Sequence, residues 1–295
     1  MSTSQPITLK VNIADYPATR ALRDGRVSSE LVKLDFCGPK SAHDGFKPML
    51  RDNAYDVSEI AIATYLQARS YGKPYVLMPA ATVGRLQHRS IVYNRKYGAL
   101  KPKDIEGRKV GVRAYTQTTG LWARGVLQHA YGVDLDRVTW VTVEDPHLPE
   151  YVDPDNCLRL PATTDLTRLM LEGELAAVIL GAGIPDDPDV CTLIPNANTA
   201  ALEWFKSEAV WPINHMVAVS NTLSRERPDV VREIYRMLVD SRSYAPTEAA
   251  QLPPLGMEAN RRALSTAVAW AFEQKIITHK MSVEELFDDT TSALM

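Results

Sequence analysis

The sequence predicts an α/β protein of two layered, Rossmann-like three-layer domains, and three observations predict it. Its 295 residues suggest about two domains at roughly 150 residues each. Short apolar, β-rich runs alternate with helical patterns along the chain, which implies layered packing with largely parallel sheets. A composition shift over residues 96–108, charged and carrying Pro102, Gly98 and Gly107, reads as a crossover between domains. The first domain is then discontinuous, residues 1–97 plus 213–295. The second, 98–212, is inserted in it, with a ligand cleft between them.

The elements follow in order. Residues 7–13 alternate apolar and polar side chains and predict a strand. Asp15 ahead of Pro17 suits an N-cap and first-turn proline, with a short helix over 19–24 stopped by Gly25. Residues 32–36 read as a strand, 45–52 as a helix and 55–57 as a strand. Residues 60–71 form a helical pattern ended by Gly72. Strands over 75–78, 90–93 and 109–113 come next. A hydroxyl-rich loop at 116–120 precedes a helix over 121–131 and a strand over 138–143. Residues 145–161, with prolines at 146, 149, 154 and 161 and no periodicity, read as a long loop. A helix over 166–171, a strand over 176–180 and a helix over 199–206 lead to a returning strand over 214–220. Residues 225–244 and 257–275 predict amphipathic helices. Ser282 and Glu285 have capping-box spacing in a last short helix.

Composition narrows the function. With 33 Lys+Arg against 36 Asp+Glu the net charge is −3, which excludes a strongly basic nucleic-acid binder but not a local cationic pocket. Cys37, Cys157 and Cys191 are odd in number and far apart, against a disulfide framework or a CxxC metal site. The opening MSTSQPITLK lacks the pattern of a secretory signal, and no apolar run is long enough to span a bilayer, so a cytoplasmic protein without membrane attachment is expected. Phosphate-binding GxxxxGK[ST], a strand-borne GxGxxG, GxSxG and HExxH are absent.

What remains is polar residues at strand ends, where ligands of α/β sheets sit. Arg20, at the first helix, offers a bidentate clamp for a carboxylate, or is a solvated arginine. Ser58 and Glu59 follow a strand and read as N-cap and first helical turn, or as site residues. Arg85 and His88 stand in the stretch GRLQHR, which suits a dianion beside a titratable imidazole, or a plain turn. Arg113, Tyr115, Thr116, Thr118 and Thr119 belong to a strand–loop–helix junction fit to hold an anion, or merely to cap the helix. His147 follows Glu144 and Asp145, which could orient it. His215 opens the returning strand as an acid–base group or a satisfied buried histidine. No cluster has metal-ligand spacing, and neither metal nor cofactor is expected.

Several strings carry a family resemblance: FKPMLRDNAYDVSEIAIATYL (46–66), GKPYVLMPAATVGRLQHRSIVYN (72–94), GVRAYTQTTGLWARGVLQ (111–128), VEDPHLPEY (143–151) and PINHMVAVS (212–220). Together they resemble the 4,5-dihydroxyphthalate decarboxylase family over about residues 7–290. The stretch GRKVGV (107–112) resembles the second-domain entry of type II periplasmic-binding-protein folds. The resemblance implies that fold, a cytoplasmic setting in bacterial phthalate degradation, and conversion of 4,5-dihydroxyphthalate to protocatechuate and carbon dioxide.

That chemistry needs cations for the retained carboxylate, among Arg20, Arg85 and Arg113. It needs a base at the phenol, His147 or His215, and an acid at the ipso carbon, His88 or Glu59. Ser58, Tyr115 and the threonines would position the aromatic diacid. A solute-binding or sensor protein for an aromatic carboxylate, and another enzyme of the same fold, are the alternatives; self-association through the long C-terminal helices is possible.

Overall fold

The computed structural model describes residues 5–246 and 253–295. It divides into two compact units. The first comprises Met1–Gly84, Ile213–Val268 and Ile277–Met295; the second comprises Arg85–Pro212 and Ala269–Ile276.

The first unit carries a five-stranded sheet in the order Val32–Asp35, Ile7–Asn12, Val57–Ala61, Ile213–Ser220, Tyr75–Gly84. Ile7–Asn12 runs parallel to both of its neighbours, whereas Ile213–Ser220 enters antiparallel between Val57–Ala61 and Tyr75–Gly84. The sheet is therefore mixed rather than largely parallel, because the returning chain supplies a strand of opposite direction. One face is covered by the helix Pro228–Ser243, whose Val230, Val231, Ile234, Tyr235 and Leu238 recur at helical spacing and pack against Leu9, Val11, Val57, Val217 and Val219.

The strand Val57–Ala61 is buried at every position, and the helix Ile62–Ser70 that follows is buried from Ile62 through Ala68. Ser58 and Glu59 are therefore mid-strand residues and not a helix cap and first turn. The helix N-cap is Ala61, which offers no side-chain bond. The expected strand over 55–57 and helix over 60–71 each begin two residues later, at Val57 and Ile62.

The second unit carries a six-stranded mixed sheet in the order Val190–Thr192, Ile91–Asn94, Ala177–Ile179, Lys109–Val112, Thr139–Thr142, Cys157–Arg159. Residues 85–97, read from sequence with the other unit, join this one because Ile91–Asn94 pairs antiparallel with both Ala177–Ile179 and Val190–Thr192. Val92, Val141, Leu166, Leu169, Met170 and Val178 form one of its core clusters. The helix Thr118–Tyr131 starts three residues before the expected 121 and ends on Gly132 in the left-handed region. Gly125 is required within it, since a Cβ there would come within 1.9 Å of the Trp270 ring.

Two further differences have local causes. The helix read over 225–244 is two, Asn221–Glu226 and Pro228–Ser243, because Pro228 forces Arg227 out of the helical region. The loop over 145–161 contains the edge strand Cys157–Arg159. The Ser282–Glu285 capping box forms with both reciprocal bonds.

Candidate active site

The first unit concentrates its chemistry on Glu59. Across the antiparallel ladder His215 faces Ala61 and Val217 faces Glu59. Side chains two apart on a strand share a face, so Glu59 and His215 are diagonal neighbours within reach of each other. His215 Nδ1 lies 2.5 Å from Glu59 Oε1. On the other side the chain leaving Ile7–Asn12 brings Tyr16, whose hydroxyl donates to Glu59 Oε1 at 2.7 Å, and the Ala14 N–H, which donates to Oε2 at 3.1 Å.

Glu59 is fully buried. A buried carboxylate survives where hydrogen-bond donors replace its water, and here a phenol, a backbone amide and an imidazole do so. Burial and the Glu59 charge hold the Tyr16 hydroxyl far above its ordinary range, so it remains a proton donor to the carboxylate. With Nδ1 turned to Glu59, the His215 Nε2 engages no described residue, and the side chain is 23% exposed. Phe46 meets the imidazole edge-on, with ring centroids 5.6 Å apart. A carboxylate, an imidazole it orients and an open Nε2 can serve as an acid–base pair, the carboxylate fixing tautomer and orientation.

Ser58 lies beneath this pair. It accepts from Asn12 Nδ2 at 3.0 Å and donates to the Glu59 carbonyl at 2.7 Å. Asn12, 1% exposed, also donates to the Ala42 carbonyl. Gly38 and Gly45 press so closely on Asn12 that a Cβ on either would come within 2.4 Å of its amide. Ser58 is thus a support inside the sheet, without a surface to offer a substrate.

In the second unit the junction after Lys109–Val112 opens on a cavity of about 450 Å³. Arg113, Gln117, Thr164, Asp165, Gly181 and Ala182 are among its lining residues. Arg113 Nε lies 3.5 Å from Glu144 Oε1. Arg85 donates through Nη2 to the Gly181 carbonyl. Thr118 and Thr119 are buried in the first turn of the helix, and Thr116 is buried just before it.

Other expected residues lie elsewhere. Arg20 and Asp15 are exposed and paired at 2.9 Å; Asp15 caps nothing, since the helix Arg20–Arg23 begins from Thr19. Tyr115 is buried, with its hydroxyl donated to the Gln274 carbonyl at 3.1 Å and its ring beneath the Arg124 guanidinium, and is a structural residue of the second unit. His88 is 2% exposed against Trp204, and burial pulls its imidazole down to about 4. It is neutral near pH 7 and is not placed as an acid. His147 is half-buried after Thr139–Thr142, and the neighbouring Asp145 pairs with Arg159 at 3.2 Å. Asn12, Tyr16, Gln117 and Gly181 were missed. Only Tyr16, four residues before Arg20, carried a chemical signal in its phenol. Among the described residues no group of three His, Cys, Asp or Glu side chains could hold a metal ion, and no helix is long and apolar enough to cross a membrane.

No family model matches the chain. A relative from Comamonas testosteroni named 4,5-dihydroxyphthalate decarboxylase is 27% identical over 257 residues, covering 82% of this chain and 76% of the relative. A relative of the same name from Pseudomonas putida is 27% identical over 219 residues, covering 68% and 82%. Among solved structures, the alkanesulfonate-binding protein SsuA from Xanthomonas axonopodis pv. citri bound to MOPS gives a TM-score of 0.57 at 10% identity, over 97% of this chain and 99% of that one. The periplasmic aliphatic sulphonate binding protein SsuA from Escherichia coli gives 0.57 at 10%, over 97% and 93%. The desulfurization enzyme DSZB gives 0.54 at 13%, over 96% and 97%. The fold is that of periplasmic binding proteins, and over most of its length the chain is similar in sequence to carboxy-lyases.

Proposed function

We propose that the chain is an aromatic-acid decarboxylase acting on 4,5-dihydroxyphthalate, or a close hydroxylated aromatic diacid, with His215 as its proton-transfer residue. The carrying observation is the buried Glu59 carboxylate 2.5 Å from His215 Nδ1, which leaves Nε2 to meet a substrate. It gains weight from the similarity to two relatives named for that reaction.

The leaving carboxylate is para to a ring hydroxyl. That hydroxyl pushes electron density to the ipso carbon, which takes the proton of the His215 imidazolium. The electrons of the C–CO2 bond then restore the aromatic ring, carbon dioxide departs, and His215 regains its proton from water. Glu59 balances the imidazolium and keeps Nδ1 occupied, so only Nε2 exchanges protons with substrate. The ring is its own electron sink. A leaving carboxylate held weakly is favoured, because tight pairing stabilises the ground state over the transition state.

The test is to mix purified protein with 4,5-dihydroxyphthalate and follow carbon dioxide and protocatechuate. Equimolar release of both is expected. Saturable binding with no product would replace this reading with a solute-binding one.

A further inference from the structure

The second unit gathers hydrogen-bond donors round a residue that has no side chain. A Cβ on Gly181 would stand 3.3 Å from Gln117 Nε2, and 3.6 Å from both Arg85 Nη2 and Thr119 Oγ1. These donors come from two segments: Arg85 at the start of the unit, and Gln117 and Thr119 at the N-cap and first turn of the helix Thr118–Tyr131.

Each is available to a ligand. Arg85 is held in place by the Gly181 carbonyl and pairs with no carboxylate among the described residues. Thr119 is 4% exposed, yet its hydroxyl bonds no described residue, and Gln117 does not spend its side chain on capping the helix. The positive end of a 14-residue helix points to the same place. The acids nearby are otherwise engaged: Asp165 accepts from the Thr167 and Arg168 N–H groups, and Glu144 stands against Arg113.

We infer that Gly181 is a specificity-determining residue of the second unit: its bare face, ringed by Arg85, Gln117 and Thr119, receives a carboxylate of the ligand. The assignment takes from the reading above that the ligand is an aromatic acid, and adds to it. A carboxylate is acceptor-only, and an amide N–H, a guanidinium N–H and a hydroxyl match it with donors. A residue larger than glycine would fill the space the carboxylate needs. Gly181 is not in the left-handed region, so alanine there brings no backbone strain, and the 3.3 Å approach falls on the movable end of Gln117.

The probe is phthalate, which keeps both carboxylates but lacks the hydroxyl that drives decarboxylation. Its binding is measured by titration calorimetry to the wild type, Gly181→Ala, Thr119→Val and Arg20→Ala. Gly181→Ala is expected to weaken phthalate about tenfold or more and Thr119→Val by about threefold to tenfold, with melting temperatures within about 2 °C of wild type. Arg20→Ala, an exposed residue outside both sites, is expected to bind phthalate as the wild type does. Wild-type affinity in both Gly181→Ala and Thr119→Val overturns the inference, as does a wild type that decarboxylates 4,5-dihydroxyphthalate but binds no phthalate. Weakening by Gly181→Ala in a protein that releases no carbon dioxide upholds the carboxylate site and removes the decarboxylase reading.

Discussion

Glu59 and His215 meet because their strands are antiparallel and one pair out of register: His215 faces Ala61, so the carboxylate two residues earlier reaches the imidazole diagonally, at 2.5 Å. The relationship is built from backbone register, and so is rigid. It fixes which nitrogen of His215 is turned inward without any loop having to order.

Replacing Glu59 by Gln keeps volume and removes the charge that orients and balances the imidazole. The expected loss in kcat is roughly a hundredfold or more, with KM changed far less. Steady-state assays of carbon dioxide release check it, with circular dichroism to confirm that the fold persists.

His88 makes stability pH-dependent. Its folded-state value of about 4 lies below the ordinary 6.5, so between those values the unfolded chain binds a proton that the folded chain refuses. Stability is therefore complete above about pH 6.5 and is lost as pH falls toward 4, by up to roughly 3 kcal/mol. Urea midpoints across that range should fall in the wild type. They should fall less in His88→Phe, which keeps an aromatic ring against Trp204.

Gly125→Ala should be among the most damaging single-methyl changes in the chain. The new methyl would come within 1.9 Å of Trp270, which also packs on Trp122 with ring centroids 5.4 Å apart. The expected cost is about 3 kcal/mol, read as a lowered denaturation midpoint with an altered near-ultraviolet tryptophan signal.

Arg20→Ala tests the opposite expectation. An exposed ion pair with Asp15 contributes about 1 kcal/mol at most. Turnover and KM within about twofold of wild type are expected, and a large rise in KM would return Arg20 to the site.

The sequence exposed the chemistry better than its positions. His215 stood out as a candidate because a histidine falls within a clear apolar strand. Glu59 was named as a candidate for the wrong structural reason: Asp-Val-Ser-Glu before an apolar run has the pattern of a helix start, and only pairing on both sides reveals Val57–Ala61 as a central strand with buried polar groups. His88 and Tyr115 read as site residues because burial in the second unit cannot be seen from neighbouring letters. Three-residue edge strands such as Val190–Thr192 are too short to leave a period. Gly181, one residue beyond the strand expected over 176–180, drew no notice as a site residue, since its proposed contribution is the absence of an atom.

The most direct test of the account is single-turnover decarboxylation of 4,5-dihydroxyphthalate by the wild type and His215→Gln, with substrate affinity measured alongside. The account predicts that the variant binds substrate within about threefold of wild type but releases carbon dioxide at least about a hundredfold more slowly. Wild-type turnover by a folded His215→Gln protein would contradict it and place the proton transfer elsewhere.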